Sequence, residues 1–136
     1  MRDFVLFTHI IIGLALIVFP IIILLYLNKK QMWIKPVSVF TAVLSWLLLL
    51  PSGILYLTFY PATKTLIKAG SWPWAHSVVM ETKEHWGLFI PLIVTVATGL
   101  TCKGKLKEGR KWWILTIVLT ILIGVMGRIV KVGALQ

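Results

Sequence analysis

An all-α fold of four membrane-spanning helices in one bundle is predicted, and three observations carry it. The 136-residue chain is 59% hydrophobic with a mean hydropathy of +0.94. Only 13% of its residues are charged, and they fall mostly between long apolar runs. A soluble domain of this length would show a far more polar composition. Four stretches are apolar enough to cross a bilayer, approximately 4–27, 37–59, 84–102 and 112–130. Together they make a single membrane domain over residues 1–136, with no room for a soluble catalytic domain.

The first run extends about 36 Å at 1.5 Å per residue, which covers a hydrocarbon layer of roughly 30 Å with some tilt. Lys29 and Lys30 follow it directly. No small-x-small cleavage pattern follows, so an anchor is expected rather than a secretory signal. Pro36 suits the first turn of the second helix. Pro51, Ser52 and Gly53 interrupt that run near its far end. Ser71 is a candidate N-cap, so the third helix can begin near residue 72 rather than at 84. Trp112 opens the fourth span, and Arg128 and Lys131 lie in its last turns.

Orientation follows from charge. The first and third connections hold Lys29, Lys30 and Lys35, then Lys103, Lys105, Lys107, Arg110 and Lys111, whereas the middle connection holds Lys64, Lys68 and Lys83. The positive-inside rule puts the first two in the cytoplasm, with both termini on the exterior or periplasmic side of the cell's inner or cytoplasmic membrane. Trp33, Trp72, Trp74, Trp112 and Trp113 fit interfacial anchors. The net charge of +10 is explained by this topology and by anionic lipid, so no nucleic-acid partner is expected. A single cysteine, Cys102, excludes an internal disulfide, a CxxC pair and a thiolate zinc site within one chain.

The remaining chemistry gathers toward the outer ends of the spans. His9 lies about two turns into the first helix. Arg128 reaches a similar depth on the fourth. His85 opens the strongly apolar part of the third, with Glu81 four residues earlier on the same face. His76 lies nine residues before His85, about 13 Å along a continuous helix. Ser52 and Gly53 approach from the second helix, while Gly13, Gly87, Gly124 and Gly127 mark narrow backbone surfaces. Ionisable groups in a bilayer are expensive without a partner, cavity or bound group.

These residues suit a non-covalent haem b held between the first and third helices. Imidazole nitrogen is an axial ligand for haem iron, and His9 and His85 are the expected pair. His76 is a second candidate, as ligand or as a proton-exchanging group at a quinol site, with Glu81 or Glu84 continuing outward. Arg128, ahead of Lys131, is the expected partner of the haem propionates. His76 with Met80 would suit transient copper traffic. A plainer reading has His9 bonded to a carbonyl, His85 in an interfacial network and the glycines serving helix packing.

The HIIIG segment (His9 to Gly13), PSG (Pro51 to Gly53), HSVVMETKEHWG (His76 to Gly87) and GVMGR (Gly124 to Arg128) together make the chain resemble small four-helix membrane b-type cytochromes. Three histidines are one short of the four needed for two bis-histidine haems. The resemblance implies an electron-transfer protein or cytochrome b subunit carrying one haem b between quinol or quinone and a redox partner. The residue pattern leaves two alternatives: a non-catalytic membrane scaffold subunit, and a metal or haem transporter. A stand-alone hydrolase is not expected, because no nucleophile is paired with a base. An electron-transfer subunit of a membrane oxidoreductase, with a redox-protein or membrane-subunit partner, is.

Overall fold

A computed structural model describes residues 1–29 and 32–136. Lys30, one of the cations of the first connection, lies outside the described residues. The described chain contains four helices long and apolar enough to span a membrane. Helix α1 runs over Arg2–Tyr26 and ends in a tighter turn over Leu27–Lys29. Helix α2 covers Ile34–Ala69, α3 Ala75–Cys102 and α4 Leu106–Gly133. Each packs mainly on its two neighbours in a ring α1–α2–α3–α4, and α4 closes the ring on α1. Both chain termini therefore share one end of the bundle, called here the terminal end, with the α2–α3 connection. Lys29, Lys35 and the run Lys103–Lys111 lie at the other.

The helices outrun their apolar spans. Helix α2 continues through Tyr60–Ala69, so Lys64 and Lys68 are helical, and only residues 70–74 connect it to α3. Pro61 sits in the first turn of this extension. Its ring would clash with the carbonyl four residues back, at Leu57. The preceding turn, Leu55–Phe59, is correspondingly widened into a π-helical turn, in which the Tyr60 N–H reaches the Leu55 carbonyl. A second π-helical turn, Ala75–Met80, opens α3. Ser71 does not cap α3; Trp74 stands at the N-cap with no side-chain bond, and the Pro73 carbonyl accepts the His76 N–H.

Two apolar clusters hold the ring together. Toward the loop end, Leu16, Ile23, Ile90, Val94 and Trp113 pack from three helices, joined by Ile34 of α2. At the terminal end, Tyr60, Ile67, Ala75, Met80 and Val130 pack from α2, α3 and α4. Hydroxyl side chains are folded back onto their own helices: Ser38 donates to the Ile34 carbonyl, Thr41 to Val37 and Thr120 to Thr116. Between helices, Trp46 donates to Thr95, Thr98 to the Ser38 carbonyl and Trp113 to Thr101. Each such bond is worth about 0.6–2 kcal/mol in an apolar medium.

Gly133 marks the tightest crossing. A Cβ built there would lie 2.8 Å from the Cβ of Ala75. Neither partner is a flexible side-chain tip, so Gly133→Val must spread α3 and α4. A loss of about 1–3 kcal/mol is expected from overpacking. A lowered Tm in detergent, followed by circular dichroism, checks it; an unchanged Tm would show that this crossing does not constrain the bundle.

Candidate functional site

The inward stripe of α1 is set by Leu16, Pro20 and Ile23, all buried. Counting back along the same stripe gives Gly13 and then His9. On α3 the buried residues Ile90, Val94 and Ala97 define the inward stripe, and counting back gives Gly87 and Lys83. On α4, Trp113, Thr116 and Thr120 lead to Gly127, whereas Gly124 is exposed. On α2, Ser38, Thr41 and Ser45 lead to Ser52. One level of the bundle, in its terminal-end half, is thus built by His9, Ser52, Lys83 and small residues from all four helices.

Contacts tie this level together. Ser52 Oγ donates to the Leu48 carbonyl at 2.7 Å. A hydroxyl has one proton, so Ser52 Oγ accepts from His9 Nδ1–H, 3.0 Å away. The neutral His9 ring therefore carries its lone pair on Nε2. That nitrogen makes no hydrogen bond, yet it is not sealed in among the described residues. The Lys83 stem lies against Gly127, its Cε 3.4 Å from where a Cβ would stand. Lys83 lies within electrostatic range of both His9 and the adjacent Glu84 carboxylate, although no carboxylate oxygen comes within 4.0 Å of its ammonium among the described residues.

The glycines divide: Gly127 and Gly133 admit a neighbour, as the packing reading has it, and others do not. A Cβ added to Gly13 or Gly87 would meet no atom within 4 Å, although both lie on inward stripes; the same holds at Gly124, which is exposed. Between α1 and α2, Phe4, Val5, Thr8, Leu50, Pro51 and Ile54 line an apolar pocket of about 190 Å³.

The other predicted site residues are placed elsewhere. His85 is exposed, on the side of α3 opposite Lys83 and Gly87, and its Nδ1–H donates to the Glu81 carbonyl at 2.7 Å. Its Nε2 lone pair is free, but it faces away from the level of His9. The two rings of the expected pair do not look into one cavity of this chain. His76 is buried at the terminal end, with Nδ1 2.8 Å from the Tyr60 hydroxyl and Nε2 3.9 Å from Glu81 Oε1. With Nε2–H toward that carboxylate, Tyr60 donates to Nδ1, and both nitrogens of His76 are engaged. Tyr56 stacks on Tyr60 with ring centroids 5.5 Å apart. Arg128 is exposed, and Lys131 likewise.

Two site residues escaped the sequence. Lys83 was assigned to the middle connection and instead projects inward; its signal is the seven-residue step to Ile90. Tyr60, partner of His76, was read as the end of an apolar run. Among the described residues no group of three His, Cys, Asp or Glu side chains is arranged to hold a metal ion, which leaves the His76–Met80 copper reading without a third ligand. Compared with protein-family models, curated proteins and solved structures, the chain finds no match in any of the three. What the chain shows by itself is an all-α bundle of four helices with membrane-spanning length and apolarity.

Proposed function

We propose that this chain is a membrane electron-transfer subunit that carries one haem b in the cleft between His9 and Gly87. The observation that carries this reading is the His9 imidazole. Its Nδ1–H is tied to Ser52, its Nε2 is unpartnered, and Gly13 one turn along has room for a Cβ. The residues fit the group in two respects. A neutral imidazole whose other nitrogen is hydrogen-bonded is a donor that haem iron would accept. Open space between glycines on facing helices suits a flat macrocycle.

Haem b, when bound, supplies a reversible one-electron change at iron. Each protein group has a separate task. His9 Nε2 would hold the iron, and Ser52 would fix the imidazole's tautomer and rotation. Gly13 and Gly87 would leave room for the ring. The apolar walls of the four helices keep water out. His85, facing outward with its own free Nε2, is available to a partner subunit rather than to this cleft.

The apolar pocket between α1 and α2 favours quinol or quinone as the lipid-soluble electron partner, because it opens beside the His9–Ser52 pair. With the terminal end outward, as the basic loop ends predict, exchange occurs in the outer leaflet of the cytoplasmic membrane. The test is the oxidised and reduced visible spectrum of the chain purified from membranes, with pyridine haemochrome stoichiometry. About one haem b per chain is expected; a fully expressed protein without haem overturns the assignment.

A further inference from the structure

A cavity of about 600 Å³ lies at the loop end of the bundle, where all four helices end or begin. Its volume falls within the roughly 300–1,000 Å³ of sites that take small organic ligands. Leu27 comes from the turn that ends α1, Ile34 and Lys35 from the first turn of α2, Thr101 from the last turn of α3, and Leu106 from the start of α4. Met32, from the first connection, is 93% exposed, so the cavity opens to the surface there.

The side chains of its walls are apolar except for two. Thr101 is satisfied within the protein: its Oγ1 donates to the Ala97 carbonyl at 2.8 Å and accepts from Trp113 Nε1–H at 3.0 Å. Lys35 is thus the polar side chain of the lining that can meet a ligand, and no carboxylate lies within 4.0 Å of it among the described residues. Glu108, the one acidic residue in the sequence near this end, stands 4.0 Å from Lys105. The depth of the cavity is marked by its neighbours. Tyr26 and Trp33 pack edge to face with ring centroids 5.2 Å apart, and Lys29 Nζ lies 4.8 Å from the Tyr26 ring centre. Aromatic rings beside cations at helix ends sit at the headgroup level of a bilayer. The cavity therefore opens where lipid phosphates are.

We infer that this cavity binds one anionic phospholipid, with its phosphodiester beside Lys35 and its glycerol and upper acyl region against Leu27, Met32, Ile34 and Leu106. Charge complementarity selects the headgroup, since the run Lys103–Lys111 and Lys29 add to the field of Lys35. The apolar walls select a lipid over a soluble anion, which would meet the same cation and leave those walls uncovered. A zwitterionic lipid would cover the walls but bring its own ammonium into a basic field. This inference goes beyond the haem reading and does not depend on it, because the His9 level lies in the opposite half of the bundle.

The experiment is native mass spectrometry of the full chain in detergent, titrated with phosphatidylglycerol or phosphatidylcholine, for wild type, Lys35→Gln, Lys35→Arg, Arg110→Gln and Leu106→Trp. Arg110 is an exposed cation at the same end that does not line the cavity. Expected is one phosphatidylglycerol retained per wild-type chain, preferred over phosphatidylcholine by about 5-fold or more. That preference should vanish in Lys35→Gln and persist in Lys35→Arg and Arg110→Gln. Leu106→Trp fills the cavity while keeping every charge, and should lose the retained lipid. Lys35→Arg guards against misfolding, since it keeps the charge on a side chain of similar length. Equal affinity of wild type for the two lipids overturns the inference. So do equal losses in Lys35→Gln and Arg110→Gln, which would show a diffuse basic surface, and undiminished retention in Leu106→Trp, which would place the lipid elsewhere. Displacement of the lipid by an equal concentration of glycerol 3-phosphate overturns it as well, because the site would then be one for a soluble anion.

Discussion

His9→Ala is expected to remove haem b almost completely from the purified chain, whereas His76→Ala and His85→Ala retain it. The three histidines differ in how their nitrogens are engaged. Both nitrogens of His76 are directed at protein groups, the Tyr60 hydroxyl and the Glu81 carboxylate. His85 has a free Nε2 but stands on the outward side of α3. Only His9 combines a free Nε2 with an inward position beside open space. Loss of the axial donor is a loss of the ligand bond itself, so the effect should exceed that of removing its orienting partner. Ser52→Ala leaves the His9 Nδ1–H without its acceptor and should weaken haem retention about 10–100-fold, the usual range when the partner that orients a ligating histidine is lost. Absorbance of haem per chain across these variants checks the order. Loss of haem in His85→Ala equal to that in His9→Ala would return the site to the outward face.

Gly87→Leu is expected to abolish haem binding while leaving the bundle at least as stable as wild type. Glycine inside a helix costs roughly 0.5–1 kcal/mol relative to alanine through backbone entropy. At Gly87 a Cβ would touch nothing within 4 Å, so the replacement removes that cost without a clash. The rest of the leucine side chain would then occupy the space proposed for the haem. Stability and binding should therefore move in opposite directions, or stability should stay constant while binding fails. The contrast with Gly133→Val is informative, because the Cβ there meets Ala75 at 2.8 Å and stability itself should fall. Thermal melts of both variants beside their haem content separate the two kinds of glycine. Full haem content in Gly87→Leu would mean that the open space does not hold the cofactor.

Much of the architecture was legible because membrane residence writes itself into composition. Four apolar runs separated by basic turns leave few alternatives, and the helices of the structure cover all four. The helix ends were less legible. Pro61, Lys64 and Lys68 interrupt the apolar run after Phe59, yet the π-helical turn absorbs the proline and α2 continues to Ala69. Hydropathy detects the slab of hydrocarbon, not the portion of a helix that projects beyond it.

The facing of side chains was harder to read for a different reason. In a soluble helix the polar side marks the outside, but a helix in lipid is apolar on both sides, so the period of hydropathy is weak. His85 and Lys83 are two residues apart and point in nearly opposite directions. Depth placed His85 near His9 and left Lys83 in the connection, whereas the step from Lys83 through Gly87 to Ile90 and Val94 identifies the inward one. His9 was easier, because Gly13 follows it at one turn and Leu16 at two. The roles of the glycines also turned on contacts that spacing does not reveal. Gly127 and Gly133 admit a neighbour, while Gly13, Gly87 and Gly124 face open space.

The most direct measurement is ligand rescue at the single position on which the site depends. His9→Gly, reconstituted with haem b in nanodiscs, leaves a gap where the imidazole stood, and added free imidazole can occupy it. Expected is a loss of the wild-type absorption and electron paramagnetic resonance spectra in His9→Gly, with their recovery on adding imidazole. Wild-type spectra in His9→Gly without imidazole would contradict ligation by His9 and with it the assignment of the cleft.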